Sequence, residues 1–307
     1  MSAEPVPAAD SRTAAARPMP VWSGEPSAVP GGHVSTWLRF FGSELRLVFG
    51  RLRNLALLGV IGAVPVFFGI VFRLTESSMG GPGGPAFLNQ LAGNGVFLAV
   101  VVLELTLTLL LLPLATAVVS GEAIAGEAGH GTLRGLLIVP AGRTRLLVVK
   151  YAAIAVYCLA GCLLMAAMSL IMGLILFPTG PVTLLSGNTI PLSAGVLRVL
   201  VLALYAAAAM ISLGAIGLAA STLTQHAVGA IAGLLVLVVA SEICDQLPSL
   251  SAIHPFLPTH FWLEWDGLFT SPTDWSSILH GLVSFAVYAA IFGSVAWARL
   301  TSADITS

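Results

Sequence analysis

The stretch GHGTLRGLLIVPAGRTRLLVVK, residues 129–150, is the polar interruption in a chain that otherwise avoids charge. Arg134, Arg143, Arg145 and Lys150 crowd into it, shortly after Glu122 and Glu127. Only 9% of the residues are charged and 57% are hydrophobic, where a soluble domain carries about 25% charged residues. So few charges cannot cover a water-facing surface, so lipid must cover most of this one. The stretch therefore reads as a polar connector between membrane-spanning helices.

A helix that crosses a bilayer needs about 20 mostly apolar residues. Six runs meet this requirement, near 54–73, 95–119, 149–176, 195–222, 226–244 and 278–300. Gly/Pro-rich breaks at 77–95 and 177–191 separate some of them, and TLTQ at 222–225 is a tight connection. Residues 245–277 form a long outer loop carrying Trp262, Trp265 and Trp275, as expected where membrane meets water. Residues 1–32 are rich in Ala, Pro, Ser and Gly and have no apolar signal-peptide core. They are expected to be a disordered tail ahead of a membrane domain at 33–307.

Within residues 33–53, Arg39, Arg46 and Arg53 recur every seven positions, with Trp37, Phe41, Val48 and Leu52 on another face. This pattern predicts an amphipathic helix in the membrane interface. Arg39, Arg46, Arg51 and Arg53, the basic connector and Arg299 all fall on one side of a six-span chain. Arg73 and Arg198 lie at helix edges on the other side, which also carries Glu264, Asp266 and Asp274. The positive-inside rule then places both termini and the connector in the cytoplasm of a plasma-membrane protein.

In the connector, spanning 120–147, Gly129 and Gly131 permit a sharp turn. Thr132 can cap the short helix LRGLLIV, which Pro140 and Gly142 end. The sequence SGEAIAGEAGHGTLRGLLIVPAGRTRLLVVKY resembles the first cytoplasmic loop of ABC-2 type permeases, the membrane subunits of ATP-binding-cassette exporters. The resemblance lies in Gly121-Glu122, Gly131-Thr132-Leu133-Arg134, Leu136-Leu137, Pro140, Arg143, Leu146-Leu147 and Lys150. LPTHFWLEWDGLF, residues 257–269, is similar to the outer segment of bacterial members. Gly135 departs from the pattern, where a bulkier residue is expected.

The resemblance implies an all-α membrane protein of the ABC-2, or type V exporter, fold: six transmembrane helices after an interfacial elbow helix. It implies a coupling helix seated in an ATPase (nucleotide-binding) subunit, with Glu122, Glu127, Thr132, Leu133, Arg134, Arg143 and Arg145 as the docking residues. It implies two membrane subunits with two ATPase subunits, ATP and Mg being bound by the latter. No nucleic-acid partner is implied. The chain itself has no P-loop, because its single lysine, Lys150, follows LLVV and not a glycine-rich turn. The cargo expected is an amphipathic or hydrophobic compound such as a drug, an antibiotic or a lipid-like molecule.

Inside the spans, Glu104 is the candidate for the translocation path. An ionisable side chain at that depth costs on the order of 2.5 kcal/mol or more. It contacts cargo, carries a proton, pairs across a dimer, or sits neutral against a neighbouring helix. Pro113 should kink the second span and Pro65 the first, with Thr108 able to resatisfy freed carbonyls. Gly229 and Gly233 form a G-x-x-x-G pair, suited to a dimer seam or to packing within one subunit. Glu242 and Asp245 lie near the outer end of the fifth span. His254, His260 and Glu264 match no standard zinc spacing, and Cys158, Cys162 and Cys244 read as buried small hydrophobes. The alternatives are a gradient-driven transporter using Glu104 as its proton-coupled acid, and an intramembrane enzyme, which would need polar residues clustered at one depth.

Overall fold

A computed structural model of the chain describes residues 33–79, 94–126, 140–184 and 186–302. The N-terminal tail and most of the first Gly/Pro-rich break lie outside the described residues. The chain forms α1 (His33–Gly50), α2 (Leu52–Met79), α3 (Phe97–Thr108), α4 (Leu111–Glu122) and α5 (Pro140–Leu176). A small antiparallel hairpin follows, β1 (Val182–Thr183) with β2 (Thr189–Ile190), Val182 opposite Ile190. Then come α6 (Leu192–Leu223), α7 (Ala227–Asp245), four short 3₁₀ turns and α8 (Ser276–Ser302).

Among the described residues, five helices are long and apolar enough to cross a membrane, and α3 with α4 makes a sixth if the bent pair is one span. The packing of its two ends bears on the point. At the start of α3, the Gly95 amide donates to Pro178 O at 3.1 Å and Asn94 Nδ2 to Gly180 O at 2.9 Å, both just past the end of α5. At the far end, Glu122 accepts from Arg51, before α2, at 2.9 Å. The amides of Ile124 and Ala125 donate to Ser221 Oγ near the end of α6, at 3.0 and 2.8 Å. The pair therefore runs from one end of the bundle to the other. That is the geometry of one broken span, and the chain is a multi-pass membrane protein with five candidate spans, or six with the bent pair counted as one.

The break itself departs from the expected kink at Pro113. The two halves meet at 55°, and Leu110 adopts φ 61°, ψ 15°, the left-handed region, at a cost of roughly 1–2 kcal/mol. In a continuous helix the Pro113 nitrogen could not donate to the Leu109 carbonyl. Ending α3 before it puts Pro113 in the first turn of α4, where a missing N–H costs nothing. Thr108 is exposed; Thr106 is the residue that donates to carbonyls, to Val102 O at 2.8 Å and Leu103 O at 2.9 Å. By contrast α2 continues through Pro65.

α6 is the central helix, with 72% of its apolar window buried against 17–28% in the other unbroken spans. Its run of alanines and glycines allows this close approach. A Cβ on Gly217 would meet Ser120 Oγ at 2.0 Å, and one on Gly214 would meet Ile154 at 2.7 Å. Cys158 and Cys162 are buried in the core, and Cys244 is half-buried.

The loop at 245–277 folds back onto the bundle as a plug. Trp262 and Trp265 are only 3% and 2% exposed, so they belong to the core and not to an interfacial belt; Trp275, 52% exposed, fits the expectation. Arg198 at the start of α6 holds the plug, donating to the Leu268 carbonyl, to Thr270 O at 3.1 Å and to Thr273 Oγ1 at 3.3 Å. Tyr205 Oη donates to Phe261 O at 2.5 Å.

Among the described glycines, Gly95 and Gly173 bring their backbones closest together: a Cβ on either would lie 2.1 Å from the other's carbonyl oxygen. Gly173→Ala is expected to destabilise the purified protein by about 1–3 kcal/mol. Gly59→Ala, where a Cβ meets nothing within 4 Å, should leave the thermal unfolding midpoint unchanged or slightly raised.

Candidate functional site

The residues of the polar connector that are described gather at one end of the bundle, where α1, α2, α4, α5 and α8 meet. α5 starts at Pro140, about two turns earlier than the expected 149. Pro140 therefore opens this helix, and Arg143 and Arg145 ride on its first turns and not on a loop. Glu127, Thr132, Leu133 and Arg134 lie outside the described residues.

Glu122 closes α4 and is gripped by the α1–α2 junction. Arg51 donates to it at 2.9 Å, and both terminal nitrogens of Arg53 reach its two oxygens. Behind this cluster, Lys150 Nζ donates to Glu44 Oε2 at 3.3 Å, with side-chain exposures of only 5% and 9%. A cavity of about 30 Å³, bordered by Glu44, Arg51, Asn54, Glu122 and Lys150, lies beside the pair. Such a volume admits a water molecule. Tyr157 Oη donates to Asn54 O at 3.1 Å, tying the start of α2 to α5.

Arg143 Nη1 donates to Leu300 O at 3.3 Å and Thr301 O at 3.0 Å, the last carbonyls of α8. A cation is favourable at a helix C-terminus. Arg145 lies against the rings of Trp37, at 4.8 Å, and Phe40, at 5.5 Å, a cation–π arrangement. The expected helix over 33–53 breaks at Arg51, so Leu52 and Arg53 belong to α2; with Trp37 41% and Leu52 82% exposed, the expected apolar face is covered only in part. α1 is fixed to the bundle instead through Glu44.

The other sequence candidates lie apart from this end. Glu104 is exposed on α3, one turn before the break. Gly229 and Gly233 lie on the exposed face of α7, opposite its buried Ala230, Leu234, Val238 and Ser241. Among the described residues, a Cβ on Gly233 would meet nothing within 4 Å, so no described neighbour requires glycine there. At the opposite end of the bundle, His260 Nδ1 stands 2.6 Å from Asp245 Oδ1 and Nε2 stands 3.9 Å from Glu264 Oε1. The first of these contacts ties the plug to the end of α7.

The sequence reading missed Glu44 and took Lys150 only as part of the basic connector. Glu44 is the lone acid of α1, and Lys150 is the chain's only lysine. That coincidence was the available signal for their pairing. Arg198 looked like an edge cation, and nothing local marked the carbonyls it holds.

One family of proteins of unknown function, DUF2705, matches residues 64–306. The chain belongs to the DUF2705 family. The match runs from within α2 past the end of α8 and so covers nearly all of the helical bundle. α1, with Glu44, lies ahead of it, as do Arg51 and Arg53. No curated protein matches the chain.

Breaking the buried pair tests how this end is held. Lys150→Met alone should cost about 3–5 kcal/mol, because it leaves Glu44 buried without its cation. Glu44→Leu combined with Lys150→Met should recover most of that loss. The unfolding midpoints of the two variants check the claim.

Proposed function

We propose that this DUF2705 chain is the membrane subunit of an ATP-driven exporter, with its basic end in the cytoplasm of the plasma membrane. The observation that carries the reading is the ABC-2-like pattern from Gly121 to Lys150. Its two described flanks, Glu122 and the Arg143–Lys150 turns, are braced by α1, α2 and α8. A connector held on a rigid mount can transmit force to the spans. In this reading Glu127, Thr132, Leu133 and Arg134 dock a separate ATPase subunit, which binds ATP and Mg and supplies the energy. Glu122, Arg143 and Arg145 anchor the connector as well as flank the docking surface. The chain pairs with a second copy of itself, with Gly229 and Gly233 on the outward face of α7 as the close-approach positions. The cargo is an amphipathic or hydrophobic drug, antibiotic or lipid-like compound.

A second reading is favoured by one observation. Glu104 sits one turn before a broken span, and discontinuous helices form the ion and substrate sites of gradient-driven transporters. In that case Glu104 carries a proton and no ATPase is needed.

Co-purification and vesicle transport separate the two. Under the exporter reading, the wild-type chain retains a P-loop ATPase subunit. A Thr132→Pro, Arg134→Glu variant then keeps its fold and loses ATPase binding and ATP-dependent transport. Transport driven by a proton gradient without ATP, and abolished by Glu104→Gln, would establish the second reading instead.

A further inference from the structure

Between α5 and α8 the lipid-facing surface opens into an apolar groove of about 320 Å³, lined in part by Val148, Tyr151, Leu218, Ala290, Gly293 and Trp297. Its volume is at the lower end of small-molecule pockets, roughly 300–1,000 Å³, and its walls offer few polar atoms. The space beside Gly293 is empty, because a Cβ there would meet nothing within 4 Å. Toward the basic end the groove closes where Trp297 Nε1 donates to Thr144 Oγ1 at 3.0 Å.

Arginines flank Thr144 on both sides. Arg143 already holds the last carbonyls of α8. Arg145 precedes Val148 by three residues and so lies one helical turn from it along α5. The Arg145 guanidinium rests on Trp37 and Phe40, yet its Nε and Nη2 are buried with no hydrogen-bond partner. Those two nitrogens form the edge that grips two oxygens of one oxyanion.

We propose that the groove and Arg145 form a binding site for one anionic phospholipid. An acyl chain lies between α5 and α8, and the phosphate takes the Nε/Nη2 edge of Arg145. Lipid is the occupant because the groove opens on exposed apolar surface, with Val148 50% and Trp297 49% exposed. Its closed end also sits among the cations, where the headgroup layer meets a span end. Trp37, 41% exposed, is the side chain whose rotation admits the phosphate. A headgroup without its own cation complements Arg143 and Arg145 best.

The test uses the full-length chain in phosphatidylcholine vesicles doped with phosphatidylglycerol or phosphatidylcholine carrying brominated acyl chains, which quench tryptophan on contact. The Trp297 signal is the part of the fluorescence lost in Trp297→Phe. Brominated phosphatidylglycerol should quench it at lower mole fraction than brominated phosphatidylcholine. Gly293→Leu, which fills the groove from an unobstructed position, should abolish that quenching; Ala290→Leu provides the same test should Gly293→Leu fail to fold. Arg145→Gln should lower the preference for phosphatidylglycerol about fivefold, the factor one arginine–lipid contact supplies. Equal quenching by both lipids, or quenching untouched by the filled groove, means ordinary boundary lipid and overturns the proposal. So does an undiminished preference in Arg145→Gln, which would free that guanidinium for a partner protein's carboxylate. Soluble glycerol phosphate should not compete; full competition would mean an anion site without a chain slot.

Discussion

A charge inside hydrocarbon must find a partner or leave, and this chain obeys that constraint in both ways. Among the described residues, most of the ionic groups sit at the two ends of the helices, Glu104 in mid-α3 being the exception. Those that sit deeper at the basic end are paired, with Lys150 on Glu44 and Glu122 on Arg51 and Arg53. These pairs join the first two helices to the fourth and fifth at a single junction. The apolar flanks of α1, α2 and α7 are left largely to the surroundings, so the charge pairs decide how the N-terminal helix is mounted.

The opposite end is built on a different principle. There the chain has room for a 3₁₀-rich plug whose indoles face inward and whose carbonyls are gathered by Arg198 and Tyr205. One end is fastened by charge pairs at helix termini, the other by a buried aromatic cap. The broken α3–α4 pair joins them and places a left-handed leucine, Leu110, just after the Leu109 carbonyl that a regular helix would leave unmet. Such a bend gives the second span two rigid halves, a suitable element for the path that the proposed export needs.

The sequence made the spans legible because apolar runs of membrane length have few alternatives. Expected and found boundaries agree within a few residues for α6, α7 and α8. α5 was underestimated because Arg143 and Arg145 read as loop residues, although a helix can start at proline and carry arginines in its first turns. The break was placed at Pro113, the residue that causes it, while the bend falls at Leu109–Leu110, where the unmet carbonyl would have been. Trp262 and Trp265 were misread because composition reports that an indole is near a membrane boundary, not which way it faces. The Glu44–Lys150 pair and the Arg198 clamp are long-range partnerships, and helical periodicity is blind to those.

Six crossings with the α1–α2 junction, the end of α4 and the end of α8 on one face is the claim on which the functional reading rests. Side-specific labelling in sealed vesicles tests it directly, using single cysteines in a chain whose Cys158, Cys162 and Cys244 have been replaced by alanine. Cysteines at Arg51, Ala123 and Ser302 should react with an impermeant maleimide from one side only, and those at Gly187, Ser251 and Ser276 from the other only. Labelling of positions 51 and 123 from opposite sides would contradict the account, because α3 and α4 would then be a re-entrant pair and the basic junction would not exist.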